Sequence, residues 1–170
     1  MSIRQLNHVV LRVTNLEQSL AFYRDVLGLT LVARLPKSAH SEEMLFLRSL
    51  HESGNHHDLA LIGGAVPVPS GTETSPQSGL FHLAFEVGTL NELEAMHEKL
   101  KKASAFKFSA DQTAHLSVYA NDPDGLTVEV LWREPNSAWS YEEEMLRAPL
   151  DFSASREVWG GELCTGAAAR

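Results

Sequence analysis

Residues 6–13 read LNHVVLRV, and residues 80–87 read LFHLAFEV. Both octapeptides are rich in apolar and β-branched residues, as strands are. Both run into a helix start. Asn15 stands as the N-cap of the first helix with Gln18 three residues later, and Thr89 caps the second with Glu92 completing a capping box. Leu16, Leu20, Tyr23 and Leu27 recur at helical spacing, and Gly28 follows where a C-cap belongs. Leu93, Met96 and Leu100 form the matching stripe in the second helix. The registers coincide: His8 lies seven residues before Asn15, and His82 seven before Thr89. Each histidine is the third residue of its strand, and such self-similarity marks a duplicated unit.

Strand-like segments follow the first helix at about 29–35, 43–48 and 57–62, and the second at about 106–109, 115–121 and 126–132. The order is βαβββ twice, an α+β class. Modules of about 1–62 and 80–132 are expected to pair over residues 1–132, their strands forming an open, curved, barrel-like mixed sheet around a metal site. The Gly-, Pro-, Ser- and Thr-rich stretch 63–79 is the linker. A pseudo-twofold relation between the modules would turn His8 and His82 toward one cavity. Residues 133–170 form an extension expected to pack on this domain or on a partner subunit. In it Trp139, Tyr141, Met145 and Leu146 mark a short helix after Pro135, Trp159 sits in a later stretch, and the final GAAAR is expected to be disordered.

The segment 115–132, HLSVYANDPDGLTVEVLW, adds the acid. Asp122-Pro123-Asp124-Gly125 is a turn in which Pro fits the second position and Gly the left-handed one of a G1-bulge hairpin. A loop of Pro123 to Gly125 pairs Asp122 with Leu126 and sets Tyr119 directly across from Glu129, on the same face. Val128, Val130 and Trp132 then face the other way. Glu129 either faces water or, pointing inward, needs a partner for its charge. A cation held by His8 and His82 is such a partner, and two imidazoles with one carboxylate is the ligand set of non-haem iron(II) oxygen-activating sites. His115 shares the parity of Tyr119 and lines either the pocket mouth or the surface. His40, His51, His56 and His97 read as loop or helix-surface residues.

Composition narrows the function classes. Lys plus Arg number 14 and Asp plus Glu 22, a formal charge of −8, so no basic surface dominates and nucleic acid is not expected as a partner. No apolar run reaches membrane-spanning length and the first residues lack signal-peptide anatomy, so a cytoplasmic protein with no membrane partner is expected. The single cysteine, Cys164, excludes an internal disulfide and a cysteine metal cluster.

Taken together, LNHVVLRV, the helix ending FYRDVLGL, LFHLAFEV and YANDPDGLTVEV resemble the vicinal-oxygen-chelate superfamily of glyoxalases, fosfomycin- and bleomycin-resistance proteins and extradiol dioxygenases, over about residues 4–132. The resemblance puts the three metal ligands at His8, His82 and Glu129. Within the superfamily the chain looks most like the catechol 2,3-dioxygenase type, in small one-domain form. That likeness implies a catalytic tyrosine ten residues before the ligand glutamate, at Tyr119, and an acid–base histidine at His57, followed by Asp58. It further implies a catecholic substrate, dioxygen and iron(II), with manganese, nickel or zinc as alternatives, in an expected homo-oligomer. The rivals are a glyoxalase-like isomerase, a fosfomycin-type thiol transferase and a drug-binding protein. The isomerase needs a further glutamate from strand 57–62, which has none; the transferase carries threonine where Val10 stands; and binding proteins of this kind usually lose the ligands.

Overall fold

The computed structural model describes residues 5–49, 54–67, 79–139 and 147–166. The chain divides into two compact units, with the boundary after residue 78. In the first, β1 (Val9–Arg12) runs parallel to β4 (Leu59–Ile62), β3 (Met44–Arg48) is antiparallel to β4, and β2 (Thr30–Leu35) is antiparallel to β3. The sheet order is β1-β4-β3-β2. Helix α1 (Leu16–Ala21) begins where Asn15 Oδ1 accepts the Gln18 N–H at 3.0 Å. It continues as a π-helical turn, Phe22–Val26, and that widening brings the adjacent aromatics Phe22 and Tyr23 both into the core. Gly28, at φ +87°, ends the helix by donating its N–H to the Arg24 carbonyl at 3.1 Å. Leu20, Leu45, Leu47, Leu59 and Leu61 fill the space between helix and sheet.

The second unit repeats the plan. Strands β5 (His82–Val87), β6 (Phe106–Asp111), β7 (His115–Asn121) and β8 (Thr127–Arg133) form a sheet of order β5-β8-β7-β6, with β5 parallel to β8. Helix α2 (Leu90–Lys102) has a complete capping box between Thr89 and Glu92, and buries Leu90, Leu93 and Leu100 against β7 and β8. The α+β class and the twofold βαβββ order are therefore present, as two four-stranded mixed sheets. The first strands are shorter than the pattern suggested: β1 starts one residue after His8, because the first ladder bond is Val9 N–H to the Asp58 carbonyl, and His82 opens β5. Register also aligns the modules. Val9 opposes Leu59 as Leu83 opposes Val128, so Ala60 is the counterpart of Glu129, and Phe46, opposite Ala60, is the counterpart of Tyr119.

The chain after β8 stays with the second unit. Ala148 exchanges both backbone hydrogen bonds with Asp111, each 2.9 Å. Helix α3 (Phe152–Trp159), capped by Asp151, then lies against α2, where Arg156 pairs with Asn91 and Glu94. Trp159 packs on the buried Trp132, whose indole N–H reaches the Leu163 carbonyl at 3.3 Å. Of the short helix expected after Pro135, residues 140–146 lie outside the described residues, as do His51, most of the 63–79 linker and the last four residues. Trp139 ends a 3-10 turn, Asn136–Ala138. His97 corrects a sequence reading: its ring is packed between Phe106 at 4.6 Å and Phe152 at 5.3 Å, because α3 covers the helix face that looked solvent-exposed.

That packing generates a pH prediction. Burial, and secondarily the Lys101 charge, hold the His97 pKa below its ordinary value of 6.5, against the weaker opposing pull of Glu98 and Glu94. A depressed folded pKa means that the neutral ring stabilises the fold above pH 6.5, and that this contribution is lost as the pH falls through the folded value. Urea midpoints measured across that range should therefore fall less on acidification for His97→Phe than for the wild type. Identical slopes for the two proteins would show that His97 is not the titrating group.

Candidate metal centre

Glu129 sits mid-strand in β8, 4% exposed, between Val128 and Val130, which face the α2 side. The Asp122–Gly125 turn fixes its partner. The Asp122 amide donates to the Leu126 carbonyl at 2.9 Å, its Oδ1 accepts from the Asp124 and Leu126 amides at 2.9 and 2.8 Å, and Gly125 takes φ +87°. Tyr119 is thereby placed directly opposite Glu129. One carboxylate oxygen, Oε1, accepts hydrogen bonds from the Tyr119 hydroxyl at 2.7 Å, the Ser117 hydroxyl at 2.6 Å and the Gln112 side-chain N–H at 3.2 Å, with His115 Nε2 at 3.4 Å. Burial pushes the Glu129 pKa upward. Hydrogen bonds from His115, Ser117 and Tyr119 together outweigh it and bring the value down to about 2, so the group is ionised at neutral pH. Burial, and then the bond to Glu129 and its charge, push the Tyr119 phenol up and keep it protonated.

The other oxygen, Oε2, faces His82 Nε2 at 3.1 Å. Two ligand atoms at right angles on one ion, with bonds of about 2.1 Å, lie about 3 Å apart, so this pair fits neighbouring positions on a divalent cation. His82 Nδ1 is buried with no hydrogen-bond partner among the described residues, so the polar contact of the ring is made at Nε2, toward the carboxylate. Among the described residues of the chain, no group of three or more His, Cys, Asp or Glu side chains that could hold a metal ion is brought together.

In the first unit, His8 is oriented by its neighbours. Asn7 donates its side-chain N–H to Asn55 Oδ1 at 2.8 Å, and Asn55 donates back to the Asn7 carbonyl at 2.9 Å. That clasp turns Asn7 Oδ1, an acceptor, to His8 Nδ1 at 2.8 Å, so Nδ1 donates to it and Nε2 is directed away from the clasp. The His57 ring lies 4.6 Å from the His8 ring and 4.9 Å from Phe46. Burial, and then the neighbouring His8 and His56, lower the His57 pKa, while Asp58 opposes them. Asp58 is held by the backbone and hydroxyl of Ser49 at 2.9 and 2.8 Å.

Of the residues singled out from sequence, His82, Glu129 and Tyr119 are thus brought together in the second unit, and His8 and His57 in the first. His115 proves half-buried and directed at Glu129. Sequence reasoning missed Ser117 and Gln112. The alternation of β7 puts Ser117 on the Tyr119 face and could have revealed it. Gln112 lies in the loop between β6 and β7, where no periodicity applies.

Comparison with known proteins bears on the same span. A family model described as the glyoxalase/bleomycin resistance protein/dioxygenase superfamily matches residues 5–130. The chain belongs to this superfamily. It is 32% identical over 135 residues to an iron-dependent extradiol dioxygenase of Rhodococcus jostii, a match covering 73% of this chain and 41% of that protein. The chain therefore spans about two fifths of that relative. It is also 27% identical over 135 residues to the mitochondrial methylmalonyl-CoA epimerase of Bos taurus, covering 76% of this chain and 74% of the epimerase. Among solved structures, a superfamily domain from Frankia shares the fold with a TM-score of 0.61 at 21% identity, over 79% of this chain and 96% of that one. Superfamily members bind divalent metals, in keeping with the donor set around Glu129.

Ser117 is fully buried and bonds a charged group. Ser117→Ala should cost the metal-free protein about 1.5–3 kcal/mol, the usual range for a hydrogen bond to a charge, read from urea unfolding in the presence of a chelator. A loss below half a kcal/mol would mean that the other donors fully compensate.

Proposed function

We propose that the protein is an iron(II)-dependent extradiol dioxygenase that opens a catecholic ring beside its diol. The observation that carries this reading is the split use of Glu129: Oε1 is tied to the Tyr119 hydroxyl, and Oε2 is turned to His82 Nε2. His8, His82 and Glu129 would hold the metal, with manganese, nickel and zinc as alternatives. Bound there, iron(II) would supply Lewis acidity toward the diol oxygens and redox capacity toward dioxygen.

The chain's own residues do the rest. His57, whose ring lies 4.6 Å from that of His8, would take a proton from the substrate hydroxyl and return it during ring opening. Tyr119, which gives its hydroxyl proton to Glu129 Oε1, would present its hydroxyl to a substrate oxygen and redirect that proton to it once substrate is bound. Phe108, stacked on the Tyr119 ring at 4.3 Å, gives an aromatic flank suited to a small aromatic substrate. The protein would act as a cytoplasmic homo-oligomer without nucleic-acid or membrane partners; no described helix is long and apolar enough to cross a membrane.

The epimerase relative raises the isomerase class as a rival, a reading that needs a further glutamate from the β4 strand. The module-one counterpart of Glu129 is Ala60, and β4 reads Leu-Ala-Leu-Ile, so the strand offers no base. That favours the dioxygenase over the isomerase class.

Anaerobic reconstitution with iron(II), followed by a screen of catechols for oxygen uptake and yellow product, is the direct test. His57→Phe should keep its metal and lose about 10²–10⁴-fold in turnover, the range for a positioned acid–base group. Tyr119→Phe should lose less, and Glu129→Ala should lose the metal itself. A fully active His57→Phe alongside an inactive Glu129→Ala would leave a metalloenzyme of another reaction class.

A further inference from the structure

Gln112 makes contacts that the proposed reaction does not account for. Its side-chain N–H group is 2.7 Å from the Tyr119 hydroxyl, 3.2 Å from Glu129 Oε1, 3.3 Å from the Ser117 hydroxyl and 3.1 Å from His115 Nε2. Its carbonyl oxygen accepts from an Arg147 guanidinium N–H at 3.1 Å. Arg147 precedes Ala148, whose backbone is paired with Asp111, the residue before Gln112. The C-terminal extension therefore reaches the carboxylate through a single amide.

The donor and acceptor inventory gives that amide a direction. A guanidinium only donates, so it can face only the oxygen end of Gln112, which turns the NH2 end toward the cluster. An amide NH2 only donates, so the Tyr119 oxygen must accept from it, and the tyrosine proton is left for Glu129 Oε1. With Oε1 engaged in this way, the carboxylate presents Oε2 to His82. We infer that Gln112, oriented by Arg147, is a positioning residue that fixes the Tyr119 hydroxyl as a donor and holds Glu129 with one oxygen free for the metal. The inference rests on Glu129 being a metal ligand, and it gives the C-terminal extension a part in the site.

The test is calorimetric titration of cobalt(II) into the metal-free full-length chain, for the wild type, Gln112→Met, Arg147→Met, the double variant and Glu129→Ala. Gln112→Met keeps the length and removes the hydrogen bonds, and should weaken cobalt binding by about 10- to 100-fold, the usual effect of losing an outer-shell partner. Arg147→Met should weaken it severalfold. The double variant should bind no worse than Gln112→Met, because Arg147 acts only through the amide. Wild-type cobalt affinity in Gln112→Met, with or without a lowered urea midpoint, would reduce the residue to a structural role and overturn the inference. Multiplying losses in the double variant would overturn the part assigned to Arg147. If Glu129→Ala itself bound cobalt like the wild type, the metal reading would fall first, independently of Gln112.

Discussion

A carboxylate buried in the middle of an apolar strand is the constraint around which the second unit is arranged. An uncompensated charge in such a place costs several kcal/mol, so Glu129 is tolerable only because Tyr119, Ser117, Gln112 and His115 converge on it. All four come from the strand directly across or from its lead-in loop. Their arrival depends on the β7–β8 register, which depends on the Asp122–Gly125 turn. A slip of one residue would turn Glu129 toward α2 and put a valine among the polar groups. The turn is consequently over-determined: Asp122 closes it with backbone and side chain, and Gly125 supplies the left-handed residue.

The duplication gives the chain two frames on one plan, and the differences between them divide the work. Glu129 and Tyr119 in the second module answer to Ala60 and Phe46 in the first. Phe46 packs against His57 and His56, so the first unit presents imidazoles on an aromatic support, with the His8 ring oriented by the Asn7–Asn55 clasp. The second presents a carboxylate with its hydrogen-bond donors. One histidine at the head of each first strand is the common element.

The C-terminal extension does more than end the chain. Its helix covers α2, seats Phe152 on His97 and places Trp159 against Trp132. Its lead-in segment bridges to Asp111 through Ala148 and carries Arg147 to Gln112. Packing on one side of the unit and polar ordering on the other thus come from the same segment.

The sequence by itself determined the βαβββ repeat, the caps at Asn15 and Thr89, the hairpin turn and the opposition of Tyr119 and Glu129. All of these follow from local periodicity, steric preference at Pro and Gly, and counting outward from a turn, which are properties of neighbours along the chain. His8, His82, His57 and Glu129 could be singled out because repeat position and strand parity, together with family resemblance, marked them. Tertiary structure decided what those rules do not reach. His97 looked exposed because nothing in its own helix reveals that α3 will cover it. Gln112 lies in a loop, where position carries no facing, and Arg147 meets it from 35 residues away. Which oxygen of Glu129 is tied up and which is turned to His82 depends on donors from three separate segments, and only the folded chain brings them to one carboxylate.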